Sequence, residues 1–328
     1  MTRLLALLFL AASAFAQPEP DVNLVTSDIE NFWRAYDAGE PGNRQEAFQR
    51  LYFDQASPGL RDFIRLRIQS AAALAATVDA VPKYYASIRA NTLRIETKRE
   101  LIRLYLSRFQ GLYRAAKFPP VYFLIGRLST GGTVGPSGLL IGTEIYSLGG
   151  DVDSSEVRER NPAFFKAMGT IEKLPLIVTH ELVHTQQQYR GPYDLLGTAM
   201  IEGAADYFTN LVSGKTINDQ SSDWAEAHRD ELFKQFADDA ARTPTVRSGW
   251  LYNYSSVNEA PADLGYWIGA EICRDYFTRA YDKQAAIDAL MTMKDPSAII
   301  RGSSYAWILG PVTPETMAPS DPSASSTP

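Results

Sequence analysis

The sequence has three histidines, and two of them, His180 and His184, lie in the run HELVH. Residues at positions i and i+4 share one face of an α-helix, so both imidazoles can point at the same ion. The flanking residues are mostly apolar, and Pro175 suits the first turn of a buried helix. This spacing therefore predicts part of a zinc site.

Two imidazoles leave zinc short of ligands, because a catalytic zinc normally takes three protein ligands and a water. Glu202 lies eighteen positions after His184, on a second apolar segment at 195–212 that is predicted to be helical. The Gly-Pro break at 191–192 allows the chain to turn back, so that the two helices converge. Asp206 follows Glu202 by one helical turn and is the predicted acceptor for the outer N–H of a ligating histidine.

Glu181 projects about 100° away from His180 around the helix axis, which places it beside the ion. That position suits a general base for a zinc-bound water, whose pKa falls to roughly 7. Hydrolysis would also need a donor to the developing oxyanion, and we favour Tyr266 at the start of a later apolar helix. Three alternative donors remain open: His228, Tyr252 and Tyr254.

The run HELVH followed by EGAAD at 202–206 resembles the gluzincin zinc metallopeptidases, and most closely a bacterial family of predicted zinc-dependent proteases of unknown substrate. The resemblance implies Zn²⁺ held by His180, His184 and Glu202, with Glu181 as the base and a peptide or protein as substrate. It also implies a strand that borders the cleft just before the metal-binding helix. The expected fold is α+β and predominantly helical, with a zincin-like catalytic domain, a small β-sheet and an N-terminal helical region.

Residues 1–16 have the features of a secretory signal peptide: Arg3, an apolar core and a small-x-small ending. We therefore expect a periplasmic or secreted protein, without a lipid anchor near residue 16 because no cysteine lies there. No later run reaches about 18 apolar residues, so no transmembrane segment is expected in the mature chain. The net charge of −6 without a basic stripe predicts no nucleic-acid partner. The single cysteine, Cys273, excludes an intramolecular disulfide and a thiolate-based zinc site.

By residue composition and pattern, the rest of the chain divides into three predicted parts. They are an N-terminal helical region at 17–118, a zincin-like catalytic region at 119–301 and a C-terminal segment at 302–328 with a disordered Pro/Ser/Thr tail. Two β-like runs, 121–128 and 139–146, flank a Gly-rich stretch and predict a hairpin. Glu144 lies in the second run and is expected at the surface.

The functional interpretation is an exported zinc metallopeptidase. Two alternatives remain open: a non-catalytic zinc-containing envelope protein that binds a partner through its helical half, and a zinc hydrolase of a non-peptide bond. The sequence leaves the oligomeric state open, as well as the choice between endopeptidase and aminopeptidase specificity.

Overall fold

The computed structural model describes residues 22–217, 219–242, 249–253 and 260–310. This part of the chain is mostly helical with one four-stranded sheet, which confirms the expected α+β class. Within it, none of the helices is both long and apolar enough to span a membrane. The expected signal peptide, the expected disordered tail beyond 310 and Tyr254 lie outside the described residues.

Seven short helices form the N-terminal part of the structure. They are α1 (Ser27–Ala38), α2 (Gln45–Phe48), α3 (Pro58–Phe63), α4 (Ala71–Ala80), α5 (Pro82–Ser87), α6 (Arg89–Leu93) and α7 (Arg99–Leu112). Serine side chains begin two of them: Ser57 accepts a hydrogen bond from Leu60 N at 3.1 Å, and Ser70 accepts one from Ala73 N at 3.1 Å. These N-caps satisfy backbone donors that would otherwise lack partners in the first turn.

The sheet contains β1 (Leu24–Val25), β2 (Val121–Leu124), β3 (Gly132–Gly135) and β4 (Gly138–Gly142) in the order β1-β2-β4-β3. Strand β2 pairs in parallel with both β1 and β4, whereas β3 pairs antiparallel with β4. The predicted hairpin between 121–128 and 139–146 is therefore wrong. The hairpin is β3–β4, because the Gly-rich stretch itself forms the edge strand. Gly138 turns the chain at φ 141°, where an added Cβ would lie 2.2 Å from Pro120 O.

Nine helices of the described residues follow the sheet. They are α8 (Ser155–Arg160), α9 (Pro162–Ala167), α10 (Leu174–His184), α11 (Leu195–Ser213), α12 (Asp219–Ala227), α13 (Arg229–Arg242), α14 (Leu264–Arg279), α15 (Lys283–Thr292) and α16 (Pro296–Arg301). Helices α10 and α11 carry the predicted ligands and agree closely with the segments expected from apolar periodicity. Asp194 caps α11 by accepting from Gly197 N at 2.7 Å, and Gly214 ends it at φ 72°.

Helix α10 lies between two buried clusters, which explains why it is apolar almost all round. Val178 and Leu182 belong to the cluster built from the N-terminal helices and the sheet. Leu176 and Val183 belong to the cluster built mainly from α7, α11 and α13–α16. The ligand-bearing end of α10 is thus held from both sides, and a helix with two buried faces cannot rotate without loss of apolar contacts.

Helices α11 and α14 cross with their backbones in contact. A Cβ added to Gly203 would lie 2.2 Å from Gly269 C, and a Cβ added to Gly269 would lie 1.9 Å from Ala199 O. Only glycine fits at both positions of this crossing. The contact fixes α11, and with it the acidic side chains that α11 presents to α10.

Glu144 is fully buried, contrary to the expectation of a surface position. Its carboxylate accepts hydrogen bonds from Gly126 N at 2.9 Å and from Leu128 N at 3.2 Å. The Tyr84 hydroxyl donates to the Glu144 backbone carbonyl, and Tyr85 OH donates to Gly126 O at 2.8 Å. Burial raises the pKa of Glu144 to about 7, despite the backbone N–H groups that lower it. The partners come from the loop after β2, so single-sequence patterns did not reveal them.

Candidate metal centre

Three side chains meet between α10 and α11. His180 Nε2 lies 3.1 Å from His184 Nε2, and Glu202 Oε2 lies 3.3 Å from the first nitrogen and 3.2 Å from the second. The side chains of His180, His184 and Glu202 are 9%, 20% and 12% exposed. The structure thus brings the three predicted ligand atoms into one nearly equilateral triangle.

The outer nitrogens of both imidazoles have defined partners. His180 Nδ1 donates to Asp206 Oδ1 at 2.8 Å, as expected for an acidic residue one turn after Glu202. His184 Nδ1 lies 2.8 Å from Gln187 Oε1, while Gln187 Nε2 donates to Ile201 O at 2.8 Å. That second bond sets the orientation of the Gln187 amide, so its oxygen must accept from His184. Each Nδ1 therefore carries a hydrogen, and each Nε2 is left for the centre of the triangle.

The electrostatics of the cluster favour positive charge at that centre. Burial by itself would lower the pKa of His180, but hydrogen bonds to Asp206 and Glu202 outweigh it and hold that pKa well above its usual range. Burial would raise the pKa of Glu202, but hydrogen bonds to the two imidazoles hold it well below its usual range. Three acceptor atoms facing one another repel unless a cation lies between them. The cluster therefore needs protons on the imidazoles or a metal ion.

The donor atoms suit zinc in both type and spacing. Zinc binds histidine nitrogen and carboxylate oxygen at roughly 2.0–2.2 Å, and a tetrahedral arrangement of such ligands separates them by about 3.3 Å. The three separations of 3.1–3.3 Å meet this requirement without movement of either helix. Within the described part of the chain, His180, His184 and Glu202 are the histidine and carboxylate side chains that lie close enough together to share one ion.

Two tyrosines lie against the triangle. Tyr252 OH donates to Glu202 Oε1 at 2.7 Å, on the oxygen that does not face the imidazoles. Tyr266, the favoured donor from the sequence, places its ring centroid 6.2 Å from that of His180 in a stacked arrangement. The two tyrosine rings meet edge to face at 6.2 Å. Tyr252 therefore contacts the candidate ligand Glu202 through its hydroxyl, whereas Tyr266 packs on the candidate ligand His180 through its ring.

The remaining candidates lie around the centre or away from it. The Glu181 side chain packs against β3, since a Cβ added to Gly132 would lie 2.5 Å from Glu181 Oε1. A cavity of about 190 Å³ adjoins Glu181 and His180. His228 is exposed, stacks on Trp224 at 4.0 Å and bonds through Nδ1 to the Trp224 carbonyl at 2.7 Å. Both contacts are with a residue one helical turn earlier, and neither is with the candidate metal centre.

Sequence reasoning missed Gln187 and ranked Tyr252 behind other donors. Gln187 is three residues after His184, a spacing that brings side chains together on a helix, so the signal was present. The position of Tyr252 depends on a tertiary contact: its backbone N–H donates to Asp263 Oδ1 at 2.6 Å, and its φ is 56°. No periodic pattern predicts that conformation.

A family model described as "Gliding motility protein GldB" matches residues 19–306, more than four fifths of the chain. The matched range includes the sheet, α1–α16 and every residue of the candidate metal centre. No curated protein and no solved structure matches the chain.

The match corrects the functional interpretation drawn from HELVH. The assignment to the gluzincin metallopeptidases is wrong, and so are the expectations of a peptidase, of an enzyme and of protease function, because the matching family is one of gliding motility proteins. The physical reason is that three candidate ligand atoms on two helices do not by themselves specify a reaction. The roles of base for Glu181 and oxyanion donor for Tyr266 belonged to that interpretation and lose their basis with it.

Proposed function

The chain belongs to the GldB family of gliding motility proteins, and on that premise we propose that it is a zinc-binding component of a gliding motility assembly. In this proposal it is associated with the cell envelope and works with protein partners. The matching family model is one of lipoproteins, which supports the envelope association, although the single cysteine of this sequence is Cys273. The leader-like residues 1–16 support export to the periplasm or beyond.

The observation that carries the metal proposal is the set of three inward-facing acceptor atoms. His180 and His184 each have their outer nitrogen committed to an acceptor, so their inner nitrogens present lone pairs at the positions that zinc uses. Glu202 adds an anionic oxygen at the third corner. We propose these three residues as the zinc ligands and Asp206 as the residue that orients His180.

When bound, zinc would supply a cross-link between two helices. Helix α10 contributes His180 and His184, and α11 contributes Glu202. Through the Tyr252–Glu202 hydrogen bond, the same cross-link reaches the segment at 249–253. Anything that binds the native state alone stabilises it, by about 2.7 kcal/mol at a hundredfold excess over Kd. The proposed role is therefore to hold one arrangement of these elements for contact with a protein partner.

Metal analysis of the purified protein tests the site. We expect one zinc per chain in the wild type and loss of that zinc in His184→Gln, which removes a ligand. His228→Gln is the matched control, because His228 is exposed and lies outside the centre. A chelator should lower the melting temperature of the wild type and of the control, and leave that of His184→Gln unchanged. Wild-type protein without stoichiometric metal, or equal zinc in His184→Gln, would refute the metal proposal.

A genetic experiment tests the place of the protein in motility. Deletion of the gene should abolish gliding, and a plasmid copy of the wild type or of His228→Gln should restore it. His184→Gln should accumulate to a normal level and fail to restore gliding. A deletion strain that glides normally would contradict the motility role, whatever the metal content of the protein.

A further inference from the structure

A second concave site shares no residue with the candidate metal centre or with the cavity beside it. It is a groove of about 420 Å³ between α4, the loop after β2 and the pair α8–α9. Its apolar lining includes Ala76 and Ala80 of α4, Leu128 of the loop and Phe164 of α9. The volume lies in the range of small-molecule sites, and the wall of alanines leaves room along α4.

The polar groups of the groove are almost all hydrogen-bond donors. Arg127 and Arg160 contribute guanidinium groups, which have no acceptor atoms. Asn161 uses its side-chain oxygen to accept from Phe164 N at 3.1 Å, which leaves its NH₂ group for a ligand. Thr77 donates its hydroxyl hydrogen to Ala73 O at 3.0 Å. Among the described residues, no aspartate or glutamate lines the groove.

Within the described residues, neither of the two arginines has a counter-charge, in a protein that is acidic overall. The net charge is −6, yet neither Arg127 nor Arg160 forms an ion pair with a carboxylate in the described ranges. Arg127 is half-buried and held by one bond, from its Nε to Arg67 O at 3.0 Å. Its terminal nitrogens can therefore donate to an anionic group in the groove, where a charge-assisted hydrogen bond is stronger than one between neutral groups.

The shape of the groove decides between a peptide and an acyl chain. An α-helix about 10 Å wide fills roughly 420 Å³ in each 5.4 Å turn, so the groove would hold only about one turn of a partner helix. An added β-strand would find no strand edge there, since the lining comes from α4, from α8–α9 and from the two loop residues Arg127 and Leu128. A flexible methylene chain needs no hydrogen bonds and fits against alanine, leucine and phenylalanine side chains.

We propose that this groove binds a single-chain anionic amphiphile, with its acyl chain along α4 and its headgroup at Arg127 and Arg160. The ligand class is defined by one carboxylate or phosphate headgroup on one alkyl chain. The inference does not depend on the metal centre, because the two sites have no residue in common.

Isothermal titration with fatty acids below their micelle-forming concentrations tests the proposal. Affinity should rise about two- to fourfold for each added methylene from octanoate through decanoate to dodecanoate, as apolar area is buried in an open groove. Dodecyltrimethylammonium has the same chain and the opposite charge, so it should bind at least tenfold more weakly than dodecanoate. Equal binding of the two dodecyl compounds would overturn the assignment of an anion site.

Substitutions in the groove lining test where the ligand binds. Arg160→Gln should weaken dodecanoate binding about three- to fivefold, because an exposed charge contributes modestly. Ala76→Leu adds bulk to the groove lining at an exposed position, where little loss of stability is expected, and it should weaken binding at least tenfold. The matched control is Arg158→Gln, on the same helix but outside the groove lining, which should leave the affinity unchanged. Binding unaffected by Ala76→Leu would overturn the proposed location.

Binding to vesicles distinguishes a site for a single acyl chain from a surface that docks on a membrane. The protein should bind dodecanoate and show no more than weak binding to intact phosphatidylglycerol vesicles, since the groove accepts one chain and not a bilayer. Tight, Arg160-dependent binding to vesicles without binding of monomeric dodecanoate would refute the single-chain site and identify a membrane-docking face.

Discussion

The buried carboxylate of Glu144 makes the stability of this protein depend on pH, and Glu144→Gln isolates that dependence. Burial raises the pKa of Glu144 from a usual value of 4.5 to about 7, although two loop N–H groups donate to it. Between these values the unfolded chain has lost a proton that the native state keeps. The free energy of unfolding therefore falls as the pH rises through this window.

The size of the effect follows from the same two pKa values. A rise from 4.5 to about 7 corresponds to roughly 3 kcal/mol of differential stability once both states are ionised. About 1 kcal/mol of this cost is present at pH 5 and nearly all of it at pH 8. The contribution of Glu144 should thus become less favourable by about 2 kcal/mol from pH 5 to pH 8. Glu144 is fully buried, so solvent screening does not reduce this figure.

Urea unfolding of wild type and Glu144→Gln at pH 5, 6, 7 and 8, both saturated with zinc, measures the effect. The glutamine places an NH₂ group where a carboxylate oxygen accepts from the loop, so a constant loss of stability is expected at every pH. The readout is the difference in the free energy of unfolding between the two proteins, which should shift by about 2 kcal/mol in favour of the variant from pH 5 to pH 8. Glu46→Gln, at an exposed position of α2, is the control for replacing a carboxylate by an amide in solvent. A difference that stays constant within about 0.5 kcal/mol would show that Glu144 titrates with an ordinary pKa and that the burial argument fails.

Three further predictions concern the metal centre and the helix crossing. Asp206→Asn should weaken zinc binding about 10- to 100-fold in a competition titration with a chromophoric chelator, and an unchanged affinity would contradict the role of Asp206 in orienting His180. Tyr252→Phe should weaken zinc binding by less than about tenfold, because it removes one exposed hydrogen bond to the candidate ligand Glu202. It should leave the urea stability of the zinc-free protein unchanged. A loss of zinc affinity as large as that of Asp206→Asn would show that the hydroxyl of Tyr252 matters as much as the carboxylate of Asp206. Gly203→Ala should cost at least about 2 kcal/mol in urea unfolding, since its Cβ would lie 2.2 Å from a backbone atom of α14. The matched Gly111→Ala, in an exposed helical position with nothing within 4 Å, should instead stabilise by about 0.5–1 kcal/mol; similar effects of the two substitutions would refute the close crossing.

The candidate metal centre could be located from the sequence because its information is local. The spacing of His180 and His184 sets them on one helix face, and the same rule relates Glu202 to Asp206. Apolar periodicity, the early proline and the Gly-Pro break marked α10 and α11 nearly to their observed ends. These local signals show which side chains can come together, but they do not show the function of the site that those side chains form. The family match was needed to correct the step from ligands to hydrolysis.

By itself the sequence determined the helical class of the chain, the two helices that carry the candidate ligands and the three candidate ligands. Helical periodicity and the spacing of ligands within one helix depend only on residues a few turns apart. Only the tertiary structure decided the parallel pairing of β2 with β4, the burial of Glu144, the bond from Tyr252 to Glu202 and the groove at Arg127. Each of these joins segments that are distant along the chain. Their partners are set by how whole helices and strands pack, and no local pattern encodes that packing.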